Sequence, residues 1–496
     1  MSAATMTATT SIRHAPEPLT KVRRRRAAEL SLLNPAVGAR AQGALSPWDS
    51  RAEWQHALNL LLAHRRAAAI VVDQLLADDP GCVFGHCLRA ALSVRADDTS
   101  AREKLNASIA AIMKACTDPS RQAHRHADAA RAWLTGNSAR AAELYGAIVI
   151  DWPRDILALL AAHALDFRLG RRLLLRERIA QVLPEWEPDM PGYSSVLAMY
   201  AFGLEENGEY GRAEWIARQA LTIDPEHPGA IHVIAHVMEM QGRVGEGLAF
   251  LAATEPVWSK DSGFSVHLAW HRALVYLEDN DPASALTVYD TQIANGTVSD
   301  IAALADASAL LWRLELRNIP LGDRWEVLAD CWQMQSLTEA RPFYLVHAMM
   351  AFAAAQRTAA KTVLFQLLPA TNMSDASSPL SEEALVPMVC KALLAFSGSN
   401  YEACLEWLGR LRPIAHRCGG SLAQCDVLHL TYTEAALRGH KASIARALVA
   451  ERLANKPASH LNRLLQQRLA MIMPGGPKRA AHADPSRRRS WTQRRV

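Results

Sequence analysis

Residues 194–230, SSVLAMYAFGLEENGEYGRAEWIARQALTIDPEHPGA, decide the fold. With Gly208 at position 15 of a 34-residue unit, Ala201 falls at 8, Tyr210 at 17, Ala213 at 20, Ala220 at 27 and Pro225 at 32. That is the tetratricopeptide register. Small residues at 8, 20 and 27 let two helices approach closely, the glycine permits the turn between them, and the proline stops the second helix. The turn recurs: Gly136, Gly170, Gly208, Gly242 and Asn280 lie 34, 38, 34 and 38 residues apart. Later stretches, HAMMAFAAAQRTAAKTVL, KALLAFSGSNYEACLEWL and TEAALRGHKASIARALVAERLANKP, keep the small-residue pattern and the helix-turn-helix length. The expected fold is an all-α tetratricopeptide-type solenoid, a right-handed superhelix of about ten to twelve helix pairs with a concave face lined by first helices.

Composition agrees with helix. The chain has 496 residues, 50% of them apolar and only 6% aromatic, and Ala and Leu dominate. Residues 47–472 read as one solenoid domain. Basic runs at Lys21 and Arg23–Arg26, and at Lys478, Arg479, Arg487–Arg489, Arg494 and Arg495, sit in Ser-, Pro-, Thr- or Gly-rich segments. Residues 1–46 and 473–496 are therefore expected to be disordered basic tails. No basic stripe with interleaved aromatics crosses the body, so nucleic acid is not the expected partner. Thr371–Glu383 reads as an internal loop, with Ser381 capping the next helix. The eight cysteines are scattered without a CxxC pair and read as free thiols. No signal peptide or membrane-length apolar run is visible, so a cytoplasmic protein is expected.

The candidate chemistry lies in GAIHVIAHVMEMQG and VHLAWHRAL, which hold two His-x₃-His pairs, His232/His236 and His267/His271, with Glu239 three residues after the first. Residues at i, i+4 and i+7 share a helix face. With Gly242 at position 15, His232, His236 and Glu239 take positions 5, 9 and 12, all groove positions, and His267 and His271 follow near 2 and 6 of the next unit. Imidazoles with a carboxylate suit a divalent transition metal or general acid–base work. A lone helical histidine is ordinarily a satisfied packing residue; four at groove positions beside a glutamate read as one pocket, with all five residues as metal-ligand candidates. Trp258, Trp270, Trp312 and Trp325 are candidates for its walls, although each alone reads as core. No phosphate-binding glycine loop or Gly-x-Ser-x-Gly element occurs.

Several ordered motifs, LPEWEPDMPGYSSVLAMYAFGLEENGEY, HVIAHVMEMQGR, VHLAWHRAL, DASALLWRLEL and GGSLAQCD, resemble the tetratricopeptide repeat protein 38 family, also described as StaR-like. The resemblance spans about Pro47 to Leu469. It implies a helical repeat and a polar set of His232, His236, Glu239, His267, His271, Asp306, His347 and Asp426. It also implies a link to secondary-metabolite biosynthesis through the StaR-like branch. The chain departs from the family pattern at Leu268 and Ala269 between the second histidine pair, at Leu345, and at Leu422 and Cys425, where polar residues are usual. Two functions follow as expectations. One is a binding or scaffold protein holding a protein, peptide or small-molecule ligand in the concave groove. The other is an enzyme, metal-dependent or not, that tailors a small molecule there. The groove positions carry His, Phe, Trp and Glu rather than Lys, Arg and Asn, which disfavours docking of acidic peptide tails.

Overall fold

Every turn that the register assigns is a helix end in the structure. Gly136, Gly170, Gly208, Gly242 and Asn280 carry φ of 85°, 66°, 77°, 67° and 59°, the left-handed conformation that closes a helix C-terminus. The computed structural model describes residues 52–96, 102–260, 262–296, 300–338, 340–368 and 382–473. Nearly all of both expected tails, and residues 371–381 of the expected loop with its Ser381 cap, lie outside them.

The described residues form helix pairs in chain order. They are α1 (Ala52–Leu62) and α2 (Ala68–Asp78), α3 (Val83–Ala96) and α4 (Arg102–Ala115), α5 (Gln122–Leu134) and α6 (Ser138–Asp151), and α7 (Ile156–Arg168) and α8 (Arg172–Val182). Next come α9 (Tyr193–Glu205) and α10 (Tyr210–Ile223), α11 (Pro228–Met240) and α12 (Val244–Trp258), and α13 (Ser265–Glu278) and α14 (Pro282–Val288). The series continues with α15 (Ile301–Leu316) and α16 (Arg324–Gln333), α17 (Pro342–Ala354) and α18 (Thr358–Leu367), and α19 (Glu382–Ser397) and α20 (Tyr401–Leu411). It ends with α21 (Leu422–Arg438), α22 (Ala442–Asn455) and an unpaired α23 (His460–Ile472). Among the described residues there is no strand, and no helix is long and apolar enough to cross a membrane. All eight cysteines are free.

Local chemistry sets the starts. Asn137, Asp155 and Asp281 accept from backbone N–H groups three residues on, and Ser421 with Gln424 forms a reciprocal capping box. First helices of successive pairs pack side by side through α9, α11, α13, α15, α17 and α19, which builds the inner layer of the stack. Small residues make this possible: Ala201, Ala213, Ala217 and Ala220 are fully buried. One close helix–helix approach is at Gly203, where an added Cβ would sit 2.5 Å from Leu175 O and 2.6 Å from Arg176 N. Both are backbone atoms and cannot swing aside. Gly203→Ala is expected to cost at least about 1–3 kcal/mol, read as a lowered thermal unfolding midpoint, because the α8–α9 contact must open.

The concave face differs from the expectation of an open groove. The C-terminal helices turn back onto it. α21 packs on α15, and α23 packs on α13 and α21. Trp312 Nε1 donates to Thr431 Oγ1 at 2.9 Å, and Arg313 Nη2 to Ala423 O at 2.7 Å. Ser459 Oγ donates to Glu278 at 2.8 Å, and Leu422 N to Glu206 at 3.0 Å. The reason is the polar residues themselves. Glu206, Glu278 and Arg313 are buried, and a buried charge needs partners that water no longer supplies.

Candidate metal centre

The four histidines come from two neighbouring first helices. α11 begins at Pro228 and presents His232 and His236 one turn apart. α13 presents His267 and His271 in the same way. Side-by-side packing of α11 on α13 faces the two pairs. Their ring nitrogens meet. His236 Nε2 lies 2.9 Å from His232 Nε2, His232 Nε2 lies 3.1 Å from His267 Nε2, and His267 Nε2 lies 3.3 Å from His271 Nε2. One ligand nitrogen from each of the four lies within 4.8 Å of all the others.

The opposite ring nitrogens meet carboxylates. His267 Nδ1 donates to Asp306 Oδ2 at 2.8 Å and His271 Nδ1 to Glu239 Oε2 at 3.1 Å. A carboxylate can only accept from a neutral imidazole, so it fixes the proton on Nδ1 and leaves Nε2 with a lone pair. With both rings neutral, His267 and His271 direct lone pairs at each other across 3.3 Å. That arrangement is repulsive unless a positive charge stands between them. A tetrahedral ion with nitrogen bonds of 2.0–2.1 Å would need nitrogen–nitrogen edges of about 3.3–3.4 Å, and a right-angled set about 2.9 Å. The three nitrogen–nitrogen distances above, 2.9, 3.1 and 3.3 Å, lie between those values.

Burial supports the same protonation. His236 and His271 are fully enclosed. Burial first, then neighbouring imidazoles, holds His232 and His271 well below the ordinary histidine range. Burial brings His236 down to about 4. These three rings are neutral at neutral pH and compete weakly for protons. Aromatic rings wall the cluster. Trp270 stacks on His267 at 5.4 Å, Phe264 lies 4.9 Å from His232, and Phe202 lies 5.8 Å from His236.

The other residues singled out in the sequence fall at different distances from this centre. Glu239, a ligand candidate by spacing, instead supports His271 and faces Lys456 Nζ at 3.5 Å. Asp306 supports His267 and accepts from Gln424. His347 donates Nδ1–H to Phe343 O at 2.7 Å and stands apart from the four. Asp426 forms an ion pair with Arg452 at 2.6 Å. Burial opposes that charge, but the guanidinium outweighs it and keeps the carboxyl below its usual range. Of the four tryptophans, only Trp270 touches the cluster. Trp258 bonds Thr254, Trp312 bonds Thr431, and Trp325 bonds Glu315.

Glu205 and Glu206 join the site although they are absent from the sequence-derived set. Glu205 Oε2 lies 3.3 Å from His236 Nδ1. Burial, then repulsion from Glu239, pushes Glu205 up to about 8; burial and Glu205 itself do the same to Glu206. The signal for Glu205 was in the register: it occupies position 12 one unit before Glu239.

A cavity of about 650 Å³ reaches Glu239 from the α20–α22 side, lined among others by Arg172, Tyr210, Asp426, Tyr432 and Lys456. No known protein-family profile matches the chain. Among solved structures, a complex of Naa15 and Naa10 bound to HypK-THB is similar to it at 12% identity, with a TM-score of 0.22. The match covers 84% of this chain and 65% of that one.

Proposed function

We propose that this protein is a helical-repeat metalloprotein that holds a divalent first-row transition ion on His232, His236, His267 and His271. One observation carries the reading: nitrogen lone pairs converge in a buried space while carboxylates occupy the outer nitrogens of His267 and His271. Carboxylate–histidine pairs orient imidazole ligands and raise their basicity. An all-nitrogen set suits zinc, copper or iron rather than magnesium or calcium.

The ligand this centre serves is a small molecule rather than a peptide. The concave face is occupied by the chain's own α21 and α23, and the 650 Å³ cavity beside Glu239 is of the size that encloses small ligands. A bound ion there would supply Lewis acidity or redox chemistry. The chain itself supplies Glu239 to hold His271 and Asp306 to hold His267. The resemblance to the tetratricopeptide repeat protein 38 family, and to its StaR-like branch, directs the substrate search toward tailoring of secondary metabolites. Placement of the gene among biosynthetic enzymes would agree with it.

The test is metal retention. Purified full-length protein, loaded with Co²⁺ and dialysed, is expected to keep the ion and show the visible absorption of a nitrogen-ligated cobalt centre. A protein that loses all cobalt on dialysis overturns the proposal. Asp306→Asn keeps the shape of the support but not its charge, and is expected to weaken the affinity of this centre about 10–100-fold, read by competition with a chromogenic chelator.

A further inference from the structure

His236 does not match its partners. His267 and His271 each give Nδ1–H to a carboxylate in good geometry, whereas His236 Nδ1 is buried with no hydrogen-bond partner among the described residues. Glu205 Oε2 is 3.3 Å away, yet both Glu205 oxygens are themselves buried and unpartnered. The neighbouring acid does not resolve this. The Glu206 carboxyl lies against Glu205, and its oxygens take the Leu422 N–H at 3.0 Å and face Arg172 Nε at 3.4 Å, which leaves His236 Nδ1 without a partner. The Glu205, Glu206 and His236 side chains thus bring one ligand atom each within 4.8 Å of one another in a space closed to solvent. An isolated buried carboxylate is costly, and such a group is normally paired or coordinates a metal.

We propose that Glu205, Glu206 and His236 Nδ1 bind a second divalent transition-metal ion, so that the His236 ring bridges two ions. This rests on the four-histidine reading, because the bridge requires the first ion on Nε2. The balance is a proton exchange: the ion displaces the Nδ1 proton of His236 and the protons held by the Glu205 and Glu206 carboxyls, all of which leave to solvent, and no electron is transferred. The mixed nitrogen and carboxylate set suits zinc, copper or iron, as at the first centre. His236 Nδ1 gains the partner it lacks, and the buried Glu205 carboxyl gains a cation. The sequence accommodates it, since Glu205 sits at the same repeat position as Glu239, one unit earlier.

Zinc loading of the full-length chain, followed by dialysis and elemental analysis, tests this. Two ions per chain are expected, falling to one in Glu205→Gln. A wild type holding one ion overturns the second site and leaves the four-histidine centre standing. A wild type holding none overturns both. Two ions retained in Glu205→Gln also overturn the second site, because the extra ion then lies elsewhere. If that variant does not fold, copper-loaded wild type decides. A ring shared by two Cu²⁺ ions couples their spins, so the paramagnetic resonance signal is expected well below the copper content. Full spin recovery overturns the bridge, in favour of a proton shared between Glu205 and Glu206.

Discussion

His232→Ala is expected to strip the ion from the four-histidine centre and, with it, the stabilisation that binding confers. His232 is the central ligand, because its Nε2 lies 2.9 Å from His236 Nε2 and 3.1 Å from His267 Nε2. Its loss removes one donor and widens the gap that the remaining three must span. An ion that binds only the folded chain stabilises it by RT ln(1 + [L]/Kd), about 4 kcal/mol at free ion 1,000-fold above Kd. Wild type titrated with Zn²⁺ should therefore show a rising thermal midpoint, and His232→Ala should show almost none of that rise. His347→Ala is the matching control. That ring is also buried, but its Nδ1 is satisfied by Phe343 O and it stands outside the four. It should lower the midpoint of the ion-free chain through lost packing and leave the zinc-dependent rise intact. If His347→Ala abolishes the rise and His232→Ala does not, the centre has been misplaced.

The outcome separates two kinds of information in the sequence. A 34-residue register fixes which residues share a helix face and which helices are neighbours, so the meeting of His232, His236, His267 and His271 could be read from the chain. The register carries no account of what crosses from outside the repeat. Asp306 reaches His267 from a third first helix, and Lys456 reaches Glu239 from the loop before α23, some 200 residues on in sequence. Closure of the concave face by α21 and α23 was invisible for the same reason, because no periodic signal links Leu422 to Glu206 or Ser459 to Glu278. Family resemblance pointed at Asp426 and His347 as polar residues but could not say that one is spent on Arg452 and the other on a backbone carbonyl. Glu205 shows the opposite case, a residue the register placed beside Glu239 and whose importance only burial reveals.

The ion-free protein is expected to be most stable near pH 6.5 and to lose stability on both sides. On the acid side, His236 has a folded value of about 4 against 6.5 when exposed. Between those values the unfolded chain binds a proton that the folded chain refuses, so stability falls as pH falls. At about 1.4 kcal/mol per unit, His236 alone contributes a loss of about 3 kcal/mol by pH 4. His232 and His271 shift in the same direction, and His163 and His347, each at about 4, lie on the same limb. On the alkaline side the sign reverses. Glu205 and Glu206 have folded values of about 8 against 4.5 when exposed. The folded chain now holds protons that the unfolded chain has released, so stability falls as pH rises from 6.5 to 8. Between 4.5 and 6.5 both sets act, and five histidines outweigh two glutamates. Urea midpoints measured with chelator at pH 4.5, 5.5, 6.5 and 8 should trace this dome. Saturating zinc should move the acid limb to lower pH, because the ion and the proton compete for the same nitrogens. A profile that rises steadily from pH 4.5 to 8 would contradict the buried glutamate pair, and one indifferent to zinc would contradict the centre itself.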